Sequence, residues 1–197
     1  MKLDVQGDVK QAMAKLNLSK ARIQKAAVQA INRTAAQVRT QAIKEIAQQE
    51  RIKQADVRKY VVVRVRANRR SLRAEVNASG KAPNLIEFVK SSDRDPMRFR
   101  KDRGVSARVM GQAKEYERTF IVKAKNGKMV VVKRSATAKR VKGKWQPKWS
   151  KGIYGPPPKR EFANTIIFAK MKTVAKERWP INWKQAINFA LSEGAGG

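Results

Sequence analysis

Residues 20–50 read KARIQKAAVQAINRTAAQVRTQAIKEIAQQE and contain neither glycine nor proline. Ser19 opens this segment, and its apolar side chains recur at steps of three and four residues, the spacing of one face of an α-helix. These side chains are Ile23, Ala27, Ile31, Ala35, Val38, Ala42 and Ile46. We therefore predict an amphipathic helix of about 30 residues, roughly 45 Å long at about 1.5 Å per residue.

The opposite side of this helix is polar and basic. It carries Arg22, Lys25, Gln29, Arg33, Thr40 and Lys44. No acidic residue occurs between Asp8 and Glu45, so we predict a uniformly positive face. Such a face either lies in solvent or binds an anionic partner.

Two β-rich segments follow, and each is predicted to form a hairpin. In the first, residues 60–66 and 72–78 alternate around a short polar turn, Asn68-Arg69-Arg70. In the second, residues 119–124 and 128–133 flank Asn126-Gly127, a pair for which we predict positive φ at both residues.

The segments between and after the hairpins are less regular. We predict a short element at residues 85–89, a charged loop at 91–104 and an additional strand at 103–110. Residues 136–153 form a basic connection whose two tryptophans, Trp145 and Trp149, either pack internally or stack on bases or rings.

The C-terminal part begins with a rigid extended run, Tyr154-Gly155-Pro156-Pro157-Pro158. A helix is predicted over about residues 161–178, with a buried side made of Phe162, Ile166, Ala169 and Val174. Pro180 is expected to end it. A short last helix over residues 181–191 then buries Trp183, Ile187 and Leu191.

This order of elements predicts an α+β fold, in which a long N-terminal helix and C-terminal helices pack on a small antiparallel sheet of β-hairpins with extended basic loops. We predict a single domain over residues 1–197. Its parts are an N-terminal arm (1–18), the long helix (19–50), the hairpins (60–134), a basic arm with proline and tryptophan (135–159) and the C-terminal helices (160–193).

The residue types that the chain lacks exclude several kinds of catalytic and metal site. The chain has no histidine and no cysteine, which excludes disulfides, thiolate nucleophiles, the usual zinc sites and imidazole catalysis. We predict no catalytic residue, metal or cofactor. An enzyme would have to use acids such as Glu115 with Glu117, or Asp93 with Asp95, which are more simply solvated. No apolar run approaches the roughly 20 residues of a membrane helix, and we expect synthesis in the cytoplasm.

The net charge is +31 over 197 residues. Residues 118–160 contain 14 lysines or arginines and no acid. Charge of this size repels itself in an isolated monomer, so a polyanion or an acidic partner is expected. The candidate residues for this contact are Arg22, Lys25, Arg33 and Lys44 of the long helix, and Lys123, Lys125, Lys128, Lys133, Arg134, Lys139, Arg140, Lys142 and Lys144 of the second hairpin and following arm.

The chain resembles the minor tail protein Z family, the tail completion proteins of lambda-like long-tailed phages. The resemblance is carried by residues 28–35 (VQAINRTA), the strand at 61–65 (VVVRV), the basic middle of the chain, and Ile153-Tyr154-Gly155-Pro156 ahead of a C-terminal helix. The similarity in the order of the elements extends over most of the chain.

This resemblance implies a structural virion protein that acts at the head–tail junction, where it caps the tail, supports head joining and accommodates the genome end. The implied partners are other copies of the chain in a hexameric ring, tail terminator and tail tube proteins, head–tail connector proteins and double-stranded DNA bound without base specificity, with no membrane. The alternative is a ribosomal or other RNA-binding protein, although the β-runs offer few aromatics for base stacking, only Tyr60, Tyr116 and Phe120.

Overall fold

A computed structural model describes residues 2–4, 20–94, 104–134, 139–141, 144–146 and 149–192. In chain order the elements are β1 (Lys2–Asp4), α1 (Lys20–Glu50), α2 (Gln54–Val57), β2 (Val61–Val65), β3 (Arg73–Ala78), two 3-10 turns (Leu85–Phe88 and Ser91–Asp93), β4 (Val105–Val109), β5 (Gln112–Tyr116), β6 (Thr119–Lys123), β7 (Met129–Arg134), β8 (Lys139–Val141), β9 (Lys144–Gln146), β10 (Trp149–Gly152), α3 (Pro158–Phe162) and α4 (Thr165–Ser192). Most of the predicted N-terminal arm and of the loop at 91–104 lies outside the described residues.

The α+β class is confirmed, but the strands form several small sheets in place of one. All described pairings are antiparallel: a three-stranded sheet in the order β1-β3-β2, another in the order β10-β7-β6, and the pairs β4-β5 and β8-β9. Both predicted hairpins are present as β2-β3 and β6-β7. Strand β5 is not predicted by the sequence, because four of its five side chains are exposed and show no apolar alternation.

Helix α1 has the burial pattern that its sequence predicts. All seven predicted apolar positions are buried, at 1% exposure or less. The main core joins α1 to the first hairpin, to the 3-10 turn at Leu85–Phe88, to strands of the later sheets and to the N-terminal half of α4. A second apolar contact joins Ala26 and Ala30 of α1 to Ala186, Ile187 and Ala190 of α4.

The predicted break at Pro180 is wrong, because α4 runs through it from Thr165 to Ser192. Proline removes one helical hydrogen bond and costs about 3 kcal/mol or more inside a helix. The flanking rings of Trp179 and Trp183 stack, with centroids 5.6 Å apart, and both pack against the α1–α4 contact. Asn182 also bonds to α1, so tertiary contacts on both sides of the proline hold the helix together.

The predicted buried side of this helix is also wrong in part. Ile166 is 68% exposed, and the buried positions are Ile167, Met171 and Ala175. The chain leaves α3 at Ala163 and starts a new helix, in which the Asn164 side chain accepts a hydrogen bond from the Ile166 backbone N–H at 2.9 Å. This second start shifts the helical phase relative to Phe162, which remains buried in α3.

The turn between β6 and β7 differs from its prediction. Gly127 has φ 77°, but Asn126 does not have a positive φ. The backbone N–H of Gly127 donates to the Ala124 carbonyl at 2.9 Å, which makes a longer loop with one left-handed residue. Two successive positive φ values occur instead at Met110 and Gly111, between β4 and β5.

Helices α1 and α4 are joined by polar contacts as well as by packing. The buried Asn182 side chain donates to Thr34 Oγ1 at 2.9 Å and to Gln37 Oε1 at 2.8 Å. Thr34 in turn donates to the Ala30 carbonyl at 2.8 Å. Lys170 Nζ lies 2.7 Å from Glu45 Oε2. The bond between Asn182 and Thr34 helps to set the register of the two helices, because each of these two buried polar groups would be costly to bury without its partner.

Glu50, the last residue of α1, is buried at 1% exposure. Neither of its carboxylate oxygens has a hydrogen-bond partner among the residues that the structure describes. Burial, and then the charge of the buried Glu161, raise the pKa of Glu50 to about 7, although Arg160 acts in the opposite direction. The carboxyl is therefore neutral in the folded protein at mildly acidic pH.

We expect Gly155→Ala to destabilise the fold. A Cβ at this position would collide with the ring of Phe88, which is itself buried. Forcing a methyl group into a packed core costs about 1–3 kcal/mol. Denaturant unfolding measures the effect. Gly80→Ala is the matched control, because its Cβ would meet only Lys159 Cδ at 3.7 Å. Equal stability of the two variants would contradict the close packing of residue 155 against Phe88.

We expect Glu50 to make stability depend on pH. Its folded pKa lies above its ordinary value, so its favourable contribution is complete below about pH 4.5 and is lost as pH rises towards about 7. The loss is at most about 3 kcal/mol, at about 1.4 kcal/mol per pH unit. In denaturant unfolding, Glu50→Gln should therefore gain stability relative to the unchanged chain as pH rises.

Glu115→Gln removes one carboxylate from an exposed strand position and is the control for this experiment. Parallel stability curves for the unchanged chain and Glu50→Gln over this range would show that the buried carboxyl does not titrate as described.

Candidate nucleic-acid interface

The basic face predicted on α1 is exposed in the structure. Arg22, Lys25, Arg33 and Lys44 all have exposed side chains. Arg22 and Lys44 are about 33 Å apart along the helix axis, at about 1.5 Å per residue. Arg33 Nη1 donates to Gln185 Oε1 of α4 at 2.9 Å, so this arginine lies beside the groove between the two long helices. The structure thus presents an extended row of cations on one rigid element.

The second predicted surface lies on the β6-β7 hairpin. Lys123, Lys125 and Lys128 are exposed at and beside its turn, and Lys133 is exposed at the opposite end of the hairpin, where it pairs with Thr119. The hairpin is anchored at its middle by Asn84, whose Oδ1 accepts from the Val131 N–H at 2.8 Å and whose Nδ2 donates to the Val131 carbonyl at 3.3 Å. The lysines therefore lie on a held hairpin that belongs to a different sheet from β2-β3.

The remaining candidate residues for contact with an anionic partner fall in a part of the chain where little of the structure is described. Arg134 ends β7, Lys139 and Arg140 lie in β8, and Lys144 begins β9. The structure gives the backbone of these four residues, and Lys142 lies outside the described residues. Trp145 and Trp149 lie in β9 and β10, with only their backbone described.

Several acidic side chains are used inside the protein. Lys59 Nζ lies 2.6 Å from Asp56 Oδ1 and 3.7 Å from Glu87 Oε1. Burial alone would raise the pKa of Asp56, but hydrogen bonds from Lys59 and Glu87 and nearby positive charge lower it. Burial and the neighbouring Asp56 raise the pKa of Glu87. Asp56 and Glu87 therefore interact with Lys59 and with each other, and these two acids contribute little negative charge to balance the exposed lysines and arginines.

A third basic cluster lies at a position that the sequence pattern predicts only as a turn. Arg66, Arg69 and Arg70 are exposed between β2 and β3, and we call these three residues the arginine turn. The sequence does contain a signal for it, because no acid occurs between Asp56 and Glu75. Hairpin turns are commonly polar, so this composition by itself indicates no more than a turn.

The acids considered for catalysis do not converge. Glu115 is exposed on β5, Glu117 follows in the next turn and Asp93 is exposed at the second 3-10 turn. Asp95 lies outside the described residues. Within the described ranges, no three acidic, histidine or cysteine side chains are grouped to hold a metal ion. Also within these ranges, no helix has the length and apolar content to cross a membrane.

Comparison with known proteins gives the family. The sequence model of prophage minor tail protein Z matches residues 6–192, which is nearly the whole chain. Neither a search of curated proteins nor a search of solved structures found a match. Because the match spans both long helices and all the strands between them, it covers the fold as well as the basic surfaces. The chain therefore belongs to the prophage minor tail protein Z family and is a structural component of a phage tail.

Proposed function

We propose that this protein is a tail completion protein at the head–tail junction of a long-tailed phage. In this role it caps the finished tail, supports joining of the tail to a filled head, and accommodates the end of the genome. The protein is made in the host cytoplasm and is incorporated into the neck of the virion. It acts by binding and not by catalysis, in keeping with a family of tail structural proteins.

The observation that carries this proposal is the exposed basic face of α1. Four lysines or arginines lie along about 33 Å of a helix whose other sides are packed against the core and α4. A helix held on two sides cannot turn this face inward, so the cations stay at the surface. A surface of this kind binds a polyanion by charge and shape, without reading the bases.

A ring of six copies is the symmetry expected for a junction with a tail tube. In such a ring, the number of enclosed DNA phosphates limits how much of the positive charge DNA can neutralise. Six chains of net charge +31 carry about +190. A bore about 40 Å deep encloses roughly 24 duplex phosphates, at one charge per about 1.7 Å. DNA therefore neutralises only a small part of the ring. We infer that acidic surfaces of the tail terminator, tail tube or connector proteins bind other basic faces.

The alternative of an RNA-binding protein is less well supported by the strands. Base stacking needs aromatic rings that are exposed on a sheet. Tyr60, Tyr116 and Phe120 are each only half-exposed. Tyr154 is 60% exposed, but it lies in an isolated bridge with Asn84 outside the regular sheets. The strands whose side chains the structure describes therefore offer no stacking platform.

Deleting the gene from an inducible prophage tests the proposal. We expect induced cells to make DNA-filled heads and full-length tails in normal numbers, with few joined infectious particles, because only the junction is incomplete. Electron microscopy counts heads, tails and joined particles, and plaque titre measures infectivity. Expression of the full chain from a plasmid is the control and should restore both joining and titre.

An antibody against the protein locates it on restored virions. Label at the neck is the expected result. Label along the tail shaft or at its distal tip, or normal joining in the deletion strain, would contradict a junction role while leaving the family assignment intact.

A further inference from the structure

The arginine turn is held against α1 by a pair of backbone contacts. Asn32 Nδ2 donates to the Ala67 carbonyl at 3.0 Å, and the Ala67 N–H donates to Asn32 Oδ1 at 2.9 Å. One helix side chain therefore satisfies both backbone groups of the residue that follows Arg66. Lys25 lies seven residues, about two turns, before Asn32 and therefore on the same side of α1, so the turn is fixed beside the Lys25 edge of the basic face.

The turn is also ordered within itself. The Asn68 N–H donates to the Ser71 carbonyl at 2.9 Å. Asn68 Oδ1 accepts from the backbone N–H groups of Arg70 at 2.9 Å and Ser71 at 2.7 Å. A side chain that accepts two backbone bonds fixes the loop before any partner arrives, which lowers the entropic cost of binding.

Apolar packing joins the turn to the start of α1. Leu72, directly after the turn, packs against the buried pair Ile23 and Ala27. Arg22 precedes Ile23 on the helix and is exposed. The arginine turn and the N-terminal half of the α1 basic face therefore adjoin, although they are about 45 residues apart in the chain.

The chemistry of this combined surface favours phosphate. Among the described residues, no carboxylate forms an ion pair with Arg66, Arg69 or Arg70, and the nearby Glu75 is bound by Arg73 at 3.1 Å. The tip itself, residues 66–71, exposes no apolar side chain, because Ala67 is buried. A protein interface would be expected to include an apolar or aromatic anchor. Guanidinium groups bind phosphate through two parallel hydrogen bonds.

We propose that the arginine turn, together with Arg22 of α1, is a phosphate-binding site for the backbone of double-stranded DNA. This inference rests on the proposed function, since it assigns the DNA contact to named residues. Of the two surfaces predicted from the sequence, it keeps the N-terminal end of α1, adds the β2-β3 turn and leaves out the β6-β7 lysines. The site binds phosphates and does not read sequence.

The test compares two triple variants of the full chain that remove the same charge. One is Arg66→Gln/Arg69→Gln/Arg70→Gln in the arginine turn. The matched control is Lys123→Gln/Lys125→Gln/Lys128→Gln at the exposed end of the β6-β7 hairpin. The binding of each to a short duplex of mixed sequence is followed by fluorescence anisotropy over a range of salt concentrations.

We expect the arginine-turn variant to lower the slope of log K against log salt by about 2.7, at about 0.9 for each phosphate that is no longer neutralised. Its affinity at low salt should fall at least about 10-fold. The hairpin variant should keep most of the original slope. A third variant, Arg66→Lys/Arg69→Lys/Arg70→Lys, should recover most of the slope because it keeps the charge. Thermal unfolding of each variant separates loss of binding from loss of fold.

The outcomes separate this inference from the proposed function. An unchanged slope in the arginine-turn variant, with a lower slope in the hairpin variant, overturns the site but leaves DNA binding in place. An equal decrease in both variants also overturns the site, since it shows a response to net charge alone. An unchanged chain whose DNA binding does not weaken with salt overturns both the site and the proposed DNA contact.

Discussion

The structure depends on the burial of α1 on two sides. One side packs on the first hairpin and the main core, and the other packs on α4. Small side chains make the second contact possible, because Ala26 and Ala30 face Ala186 and Ala190 and let the two helices come close. Asn182, bonded to Thr34 and Gln37, sets the register of this contact. The one side of α1 that is left faces solvent, and it is the basic side.

The second constraint is electrostatic. The chain has 46 lysines and arginines against 15 acids. Some of these acids are used internally: Glu45 binds Lys170, Asp56 and Glu87 share Lys59, and Glu50 and Glu161 are buried. The positive surface is therefore poorly balanced by the protein itself. A protein with this charge distribution is suited to a place between other macromolecules, as expected for a tail protein.

Much of the fold could be predicted because local periodicity was strong. The seven apolar positions of α1 are buried as expected, and both hairpins form where alternation surrounds a polar turn. The prediction failed where the structure of a segment depends on contacts with distant residues or on its own helix start. Pro180 stays inside α4 because Trp179, Asn182 and Trp183 are held beside α1. Ile166 is exposed because the chain restarts its helix at Asn164 and changes phase. Strand β5 has no apolar pattern and pairs through its backbone with β4.

For the interface, the sequence by itself determined the charge, the long helix and the presence of one basic face, since composition and a 3.6-residue period are local properties of the chain. The resemblance to the minor tail protein Z family was also evident from sequence and is confirmed. Only the tertiary structure decided which basic segments lie together. Asn32 binds Ala67 and Leu72 packs on Ile23, so the arginine turn adjoins the start of α1. That neighbourhood comes from hydrogen bonds and packing between distant segments, which no local pattern in the sequence encodes.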